Sequence, residues 1–177
     1  MKTSQYFLIG LLGLSPALAL PPPGEQVKKI PQVDVQFFEP KNFTDVKDSS
    51  TGDFERTTYL DSIREYVLQQ AKLYVPEGYH LAVTFTDIDM AGDFEPWRGP
   101  QFDDIRIVKD IYPPRINLTF QLTDRDGNVV KEGKRELKDL AFLMKINMSF
   151  RDDPVRHEKA LLDDWFRAEF PRVRKST

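Results

Sequence analysis

Apolar and polar residues alternate most clearly in Arg115 to Thr123. Ile116, Leu118, Phe120 and Leu122 share one face, and Asn117, Thr119, Gln121 and Thr123 the other. A period of two with β-branched and aromatic residues predicts a strand. Asp126-Gly127 then predicts a tight hairpin turn, with Val129 to Leu137 as the partner strand and Val130, Glu132, Lys134 and Glu136 facing solvent. The same alternation predicts a strand over Leu81 to Ile88, with Leu81, Val83, Phe85 and Asp87 on one side and Ala82, Thr84, Thr86 and Ile88 on the other. Val33 to Phe38 reads as a further strand, ending at Glu39-Pro40, and Asp104 to Lys109 as a short one. Three stretches are helical in pattern. Leu60, Ile63, Val67, Ala71 and Tyr74 form one apolar stripe, which predicts a helix from about Phe54 to Val75, capped by Thr51 or Asp53 and stopped by Pro76 and Gly78. Leu140 to Met148 is apolar and predicts a second helix, with Asp139 near its start. The last helix has Asp153 as N-cap, Pro154 at its first position, where the missing N–H costs nothing, and Pro171 at its end. Its buried face is Val155, Leu161, Leu162, Trp165, Phe166 and Phe170.

The order strand, helix, strand, short strand, hairpin, helix, helix predicts an α+β domain. The expected architecture is a mostly antiparallel sheet of about four to five strands with two to three helices packed on one face. No internal repeat is visible.

The N-terminus changes the picture of where the chain works. Lys2, the short apolar run Phe7 to Leu14 and the small-x-small site Ala17-Leu18-Ala19 form a secretory signal, with cleavage expected after Ala19. The run is too short to be a membrane-spanning helix. Residues 20–31, with three consecutive prolines, read as an extended linker, residues 32–171 as a single domain and 172–177 as a frayed tail. Removing 19 of 177 residues leaves 158, enough for one domain with its own core. Cysteine is absent, so the core must hold the fold without disulfides, and thiol catalysis and cysteine zinc sites are excluded. The mature chain carries 24 basic and 28 acidic side chains, a net charge of −4, which argues against a nucleic-acid partner.

Candidate chemistry concentrates between Thr86 and Ile116. Asp87, Asp89, Asp93 and Glu95 lie close together in sequence, beside Phe94, Trp97 and Arg98, with Arg106, Tyr112 and Arg115 following. Gly92 lets the chain turn sharply, and Pro96, Gly99 and Pro100 rule out continuing as a regular strand or helix. Asp87, Asp89 and Gly92 match the start of a calcium loop, but Ala91 and Arg98 stand where ligands are required, so no metal site is assigned. Paired carboxylates beside aromatics could perform acid–base or glycosidase-like work. The competing reading is that they accept backbone hydrogen bonds and pair with Arg98, Arg106 or Arg115. Those arginines could instead clamp a carboxylate or phosphate. Trp97 with Phe94, Phe102 and Tyr112 is either an interaction surface or a plug over the sheet. The two histidines, His80 and His157, have no nucleophile elbow or zinc motif near them. No catalytic residue and no cofactor is assigned.

Four segments taken together, TDIDMAGDFEPWRGP (Thr86 to Pro100), DIRIVKDIYPPRI (Asp104 to Ile116), EGKRELKDLAFLM (Glu132 to Met144) and DDPVRHEKALLDDWFRAEF (Asp152 to Phe170), resemble a family of exported bacterial proteins, the domain of unknown function family 3016. The likeness spans about Val33 to Phe170. It implies an exported, periplasmic or secreted proteobacterial protein and brings no activity, cofactor or partner with it. The leading reading is a non-enzymatic binding or interaction module for a protein or small-molecule ligand. Its site would be the loop 87–112, with Trp97 and Phe94 as apolar anchors and Asp93, Glu95 and Arg98 as orienting charges. The alternative is a hydrolase-like or metal-dependent protein using Asp87, Asp89, Asp93 and Glu95.

Overall fold

A computed structural model describes residues 31–45, 53–102, 105–145 and 153–173, with the backbone alone at 53–57 and 102. The signal segment, residues 20–30 of the linker, the Thr51 cap, Asp104 and the tail beyond 173 lie outside the described residues. The chain forms an α+β domain. Strand β1 (Gln32–Phe37) leads to helix α1 (Asp53–Tyr74) and strand β2 (His80–Asp89). A small ribbon of β3 (Asp93–Phe94) and β4 (Arg106–Ile107) follows, then the hairpin β5 (Arg115–Thr123) and β6 (Val129–Lys138), and last helix α2 (Arg156–Glu169). The main sheet has four strands in the order β1-β2-β5-β6. β1 runs parallel to β2, a pairing that needs a crossover, and α1 supplies it. The other two pairings are antiparallel.

The helical stripe explains how α1 seats. Leu60, Ile63, Val67, Ala71 and Tyr74 are all buried, against Leu81, Val83 and Phe85 of β2 and Ile116, Leu118, Phe120 and Leu122 of β5 in one core. α2 adds Leu161, Leu162, Trp165 and Phe166 to that core. Aromatic rings lock the two helices to each other and α2 to the sheet: Tyr74 stacks on Phe166 at 5.6 Å between centroids, and Trp165 meets Phe120 edge-on at 5.6 Å. The far end of α2 is tied to β6 by Glu169, which accepts from Arg135 and pairs with Lys131 at 2.8 Å. The opposite face of the sheet is polar, with Asp34, Gln36, Thr119, Gln121, Glu132, Lys134 and Glu136 exposed. Among the described residues no helix is long and apolar enough to cross a membrane.

Four expectations are corrected. The alternation in β2 does not continue to Asp87. A bulge between Phe85 and Asp87 adds one residue, so that Ile88 returns to the core and Asp87 turns outward. Among the described residues of the stretch expected as a strand, only Arg106–Ile107 pairs, because its partner there, Asp93–Phe94, is two residues long. Within residues 140–145 the expected second helix is a single short turn, Phe142–Met144. Asp139 accepts from the Ala141 N–H at 2.9 Å, and only Phe142 is buried while Leu140, Leu143 and Met144 face solvent, so this part of the run has no stripe to pack. Residues 146–148 of that stretch lie outside the described residues. Finally, α2 starts after Pro154 rather than on it. Asp153 caps a turn there, accepting from the Val155 N–H at 2.9 Å through its side chain and from the Arg156 N–H at 3.2 Å through its carbonyl.

Candidate functional site

The loop 87–112 is built on the β3–β4 ribbon. Gly92 opens it with a φ of 88°, a conformation that favours glycine, and a Cβ there would meet the Ile107 carbonyl oxygen at 2.9 Å. Its N–H donates to the Tyr112 carbonyl at 3.0 Å, which closes the base of the loop. Beyond Phe94 the chain makes two short turns, Pro96–Arg98 and Pro100–Phe102.

Glu95 is the centre of the upper half. It is 1 % exposed, and its carboxylate accepts from Arg98, from Lys109 Nζ at 2.5 Å and from the Tyr112 hydroxyl at 3.1 Å. The Lys109 hydrogen bond, with those of Arg98 and Tyr112, holds its carboxyl below the usual range against the opposing effect of burial. Burial, then the Glu95 contact, raises the Tyr112 hydroxyl. Trp97 sits at the middle of the Pro96–Arg98 turn and is 70 % exposed. It therefore does not plug the sheet.

Arg106 is the centre of the lower half. Its guanidinium binds Asp45 through two bonds of 2.6 Å and the Gly92 carbonyl at 2.9 Å, and lies over the Phe94 ring at 4.7 Å. Asp45 also accepts from the Met90 N–H at 3.0 Å. Glu158, from the first turn of α2, accepts from the Ala91 N–H at 2.7 Å. It is 1 % exposed, and burial pushes its carboxyl up to about 7.

Beside this network lies a cavity of about 260 Å³ whose walls include Asp45, Asp89, Asp93, Ile111, Tyr112 and Arg115. Burial, and then the neighbouring Asp45 charge, raises the Asp89 carboxyl, with Arg115 at 3.8 Å opposing. The carboxylates expected to act together are thus divided. Asp89 and Asp93 face the cavity. Glu95 is enclosed by its three donors. Asp87 is committed to Thr44, accepting from its N–H at 2.7 Å and its hydroxyl at 2.9 Å. Among the described residues no three His, Asp or Glu side chains gather as a metal site would require.

Residues 31–168 match the model of a family described as a protein of unknown function, DUF3016. The chain belongs to the DUF3016 family. Among solved structures, the chain is similar to a minor lipoprotein from Acinetobacter baumannii at 12% identity, covering 84% of this chain and 98% of that one with a TM-score of 0.25. No curated protein matches it.

Sequence reasoning missed three residues that hold this loop of the DUF3016 chain in place: Asp45, Lys109 and Glu158. Asp45 sits in a polar stretch with no period, and its partner Arg106 is 61 residues away. Glu158 did leave a signal. It lies three residues after Val155 and four before Leu162, on the buried stripe of α2. A carboxylate at such a position must find a partner or neutralise.

Proposed function

We propose that this DUF3016 protein is an exported binding module that captures its ligand or partner at the loop 87–112, with Trp97 as the principal anchor. Export rests on the signal pattern of residues 1–19. The binding reading rests on one observation: a large aromatic is held out in solvent by a turn whose base is clamped through a buried, triply bonded carboxylate. An exposed Trp on a fixed support loses little conformational freedom on contact, which is the character of a binding hot spot. Asp89, Asp93 and Arg115 line a cavity at the base of the same loop and offer polar groups to a ligand there. Phe94 acts from beneath, by stacking under Arg106.

The test is a photo-crosslinking residue placed at Trp97 in cells that export the protein, with a control at exposed Arg125 in the distant hairpin. A discrete adduct from position 97 and none from position 125 is the expected result. Trp97→Ala should leave stability within ~0.5 kcal/mol and weaken capture of the identified adduct partner about 30-fold, the effect of a 2 kcal/mol hot spot. Equal labelling at both positions, or a Trp97→Ala protein that unfolds, would remove the proposal.

The hydrolase-like or metal-dependent alternative has one observation in its favour, the raised Asp89 carboxyl inside a cavity. It would gain the lead if Ca²⁺, Mg²⁺, Mn²⁺ or Zn²⁺ stabilised the chelator-treated protein saturably and Asp89→Asn/Asp93→Asn abolished the effect.

A further inference from the structure

β6 is ten residues long and forms one border of the main sheet; among the described residues it pairs only with β5. A border strand presents unpaired N–H and C=O groups to any strand that can lie beside it. Charges on such strands commonly repel a second strand. On β6 their order does the reverse.

The residues of β6 that face away from the helices are Glu132, Lys134, Glu136 and Lys138, all exposed, and Val130 is the extra residue of a bulge where Lys131 pairs with Leu122 and Val129 with Thr123. When two copies of one strand meet antiparallel about a two-fold axis normal to the sheet, directly opposed residues share a face. The permitted registers are therefore few, and charge separates them. With Lys134 on the axis, Lys134 opposes itself and Glu132 opposes Glu136. With Glu136 on the axis, Glu136 opposes itself and Lys134 opposes Lys138. With Gly133 on the axis, Glu132 opposes Lys134, but Lys131 opposes Arg135 and Glu136 has no opposite charge to meet. With Arg135 on the axis, Lys134 opposes Glu136 and Glu132 opposes Lys138, two opposite-charge pairs where the Gly133 register has one. Each of these contacts occurs twice by symmetry.

The one like-charge meeting in this register is Arg135 with itself, on the helix side. There each Arg135 is already bound to Glu169 of its own chain, and Glu169 also takes Lys131. The ties that the open-face charges now make are surface contacts, Lys134 to Glu136 at 3.6 Å and Gln121 to Glu132 at 2.9 Å. Exposed contacts of this kind contribute little and exchange readily.

We propose that β6 pairs antiparallel with β6 of a second copy in the Arg135-centred register, joining two sheets into one of eight strands. The helices of both copies then cover the same face. The loop 87–112 takes no part in this pairing, so the dimer stands or falls independently of the binding reading.

Sedimentation equilibrium of the mature chain, from low to high micromolar concentration, tests it. The wild type should approach dimer mass. Glu132→Lys/Glu136→Lys should remain monomeric, because every open-face charge then meets its like. Lys134→Glu/Lys138→Glu should do the same from the opposite sign. Combining all four changes restores opposite charges at every position and should restore the dimer. Far-ultraviolet circular dichroism confirms that each variant is folded. A wild type that stays monomeric throughout overturns the proposal. So does a four-fold variant that stays monomeric, or a double variant that still dimerises.

Discussion

Glu158 joins α2 to the Met90–Gly92 turn through a single hydrogen bond to the Ala91 N–H. Arg106 and Asp45 are the charged groups that act on it from the site side, with opposite effects, and burial outweighs both. Its carboxyl rises from an ordinary 4.5 to about 7, so the folded chain prefers the protonated form. The resulting stability is present in full below pH 4.5 and is lost as pH rises through about 7. Over that window the loss is on the order of 3 kcal/mol. Glu158→Gln keeps an acceptor for Ala91 and cannot ionise. Urea titrations at pH 5, 6, 7 and 8 should show the variant gaining on the wild type as pH rises. Two parallel stability curves would mean that Glu158 titrates normally. Such single residues are the hardest part of the molecule to read from sequence. Asp45 and Lys109 become important only because the fold brings Arg106 and Glu95 to them, and no local spacing encodes that meeting.

Among elements, legibility follows the range of the interactions that define them. The β5–β6 hairpin was readable because its turn is specified within five residues: Asp124 accepts from the N–H groups of Asp126 and Asn128, both at 2.9 Å, and Gly127 takes a φ of 84°. Helix α1 was readable because its stripe is continuous. The β2 bulge was not, since one extra residue is defined only against the partner strand. The turn Phe142–Met144 was misread because composition without periodicity does not make a helix. In the 87–112 loop the sequence shows that opposite charges lie close together, but not which of them pair. Its charges pair within the neighbourhood, as expected of an acidic segment with arginines, yet Asp45 supplies the partner of Arg106. Its support should be separable from the sheet. Glu95→Ala removes the acceptor shared by Arg98, Lys109 and Tyr112. Hydrogen exchange should then speed up at Arg98 and Gly99, whose N–H groups close the Trp97 turn at 3.1 and 3.3 Å. Exchange at Val83 and Phe120, in the centre of the sheet, should not change. Equal acceleration at all four would make Glu95 part of the global fold rather than of the loop.

At the scale of the whole molecule, the two faces of the sheet do different work. One carries the entire core, and with no cysteine in the chain that core must hold the fold without disulfides. Phe166 is where its parts meet. Fully buried on α2, it stacks on Tyr74 of α1 and packs on Trp165 and on Phe170 beyond the helix end. Truncating it removes the stacking contact between α2 and α1 together with contacts within α2, and Tyr74 and Trp165, fixed on different helices, cannot both close into the space. Phe166→Ala should therefore cost ~3–5 kcal/mol and lower the melting temperature by about 10 °C. Thr119→Ala, on the polar face, alters no buried ring and should stay within ~0.5 kcal/mol. Urea unfolding of both variants decides between one shared core and locally independent layers. Equal slopes with a large midpoint shift for Phe166→Ala alone indicate one cooperative unit. A shallow or biphasic transition in that variant would mean that α2 can leave while α1 and the sheet persist.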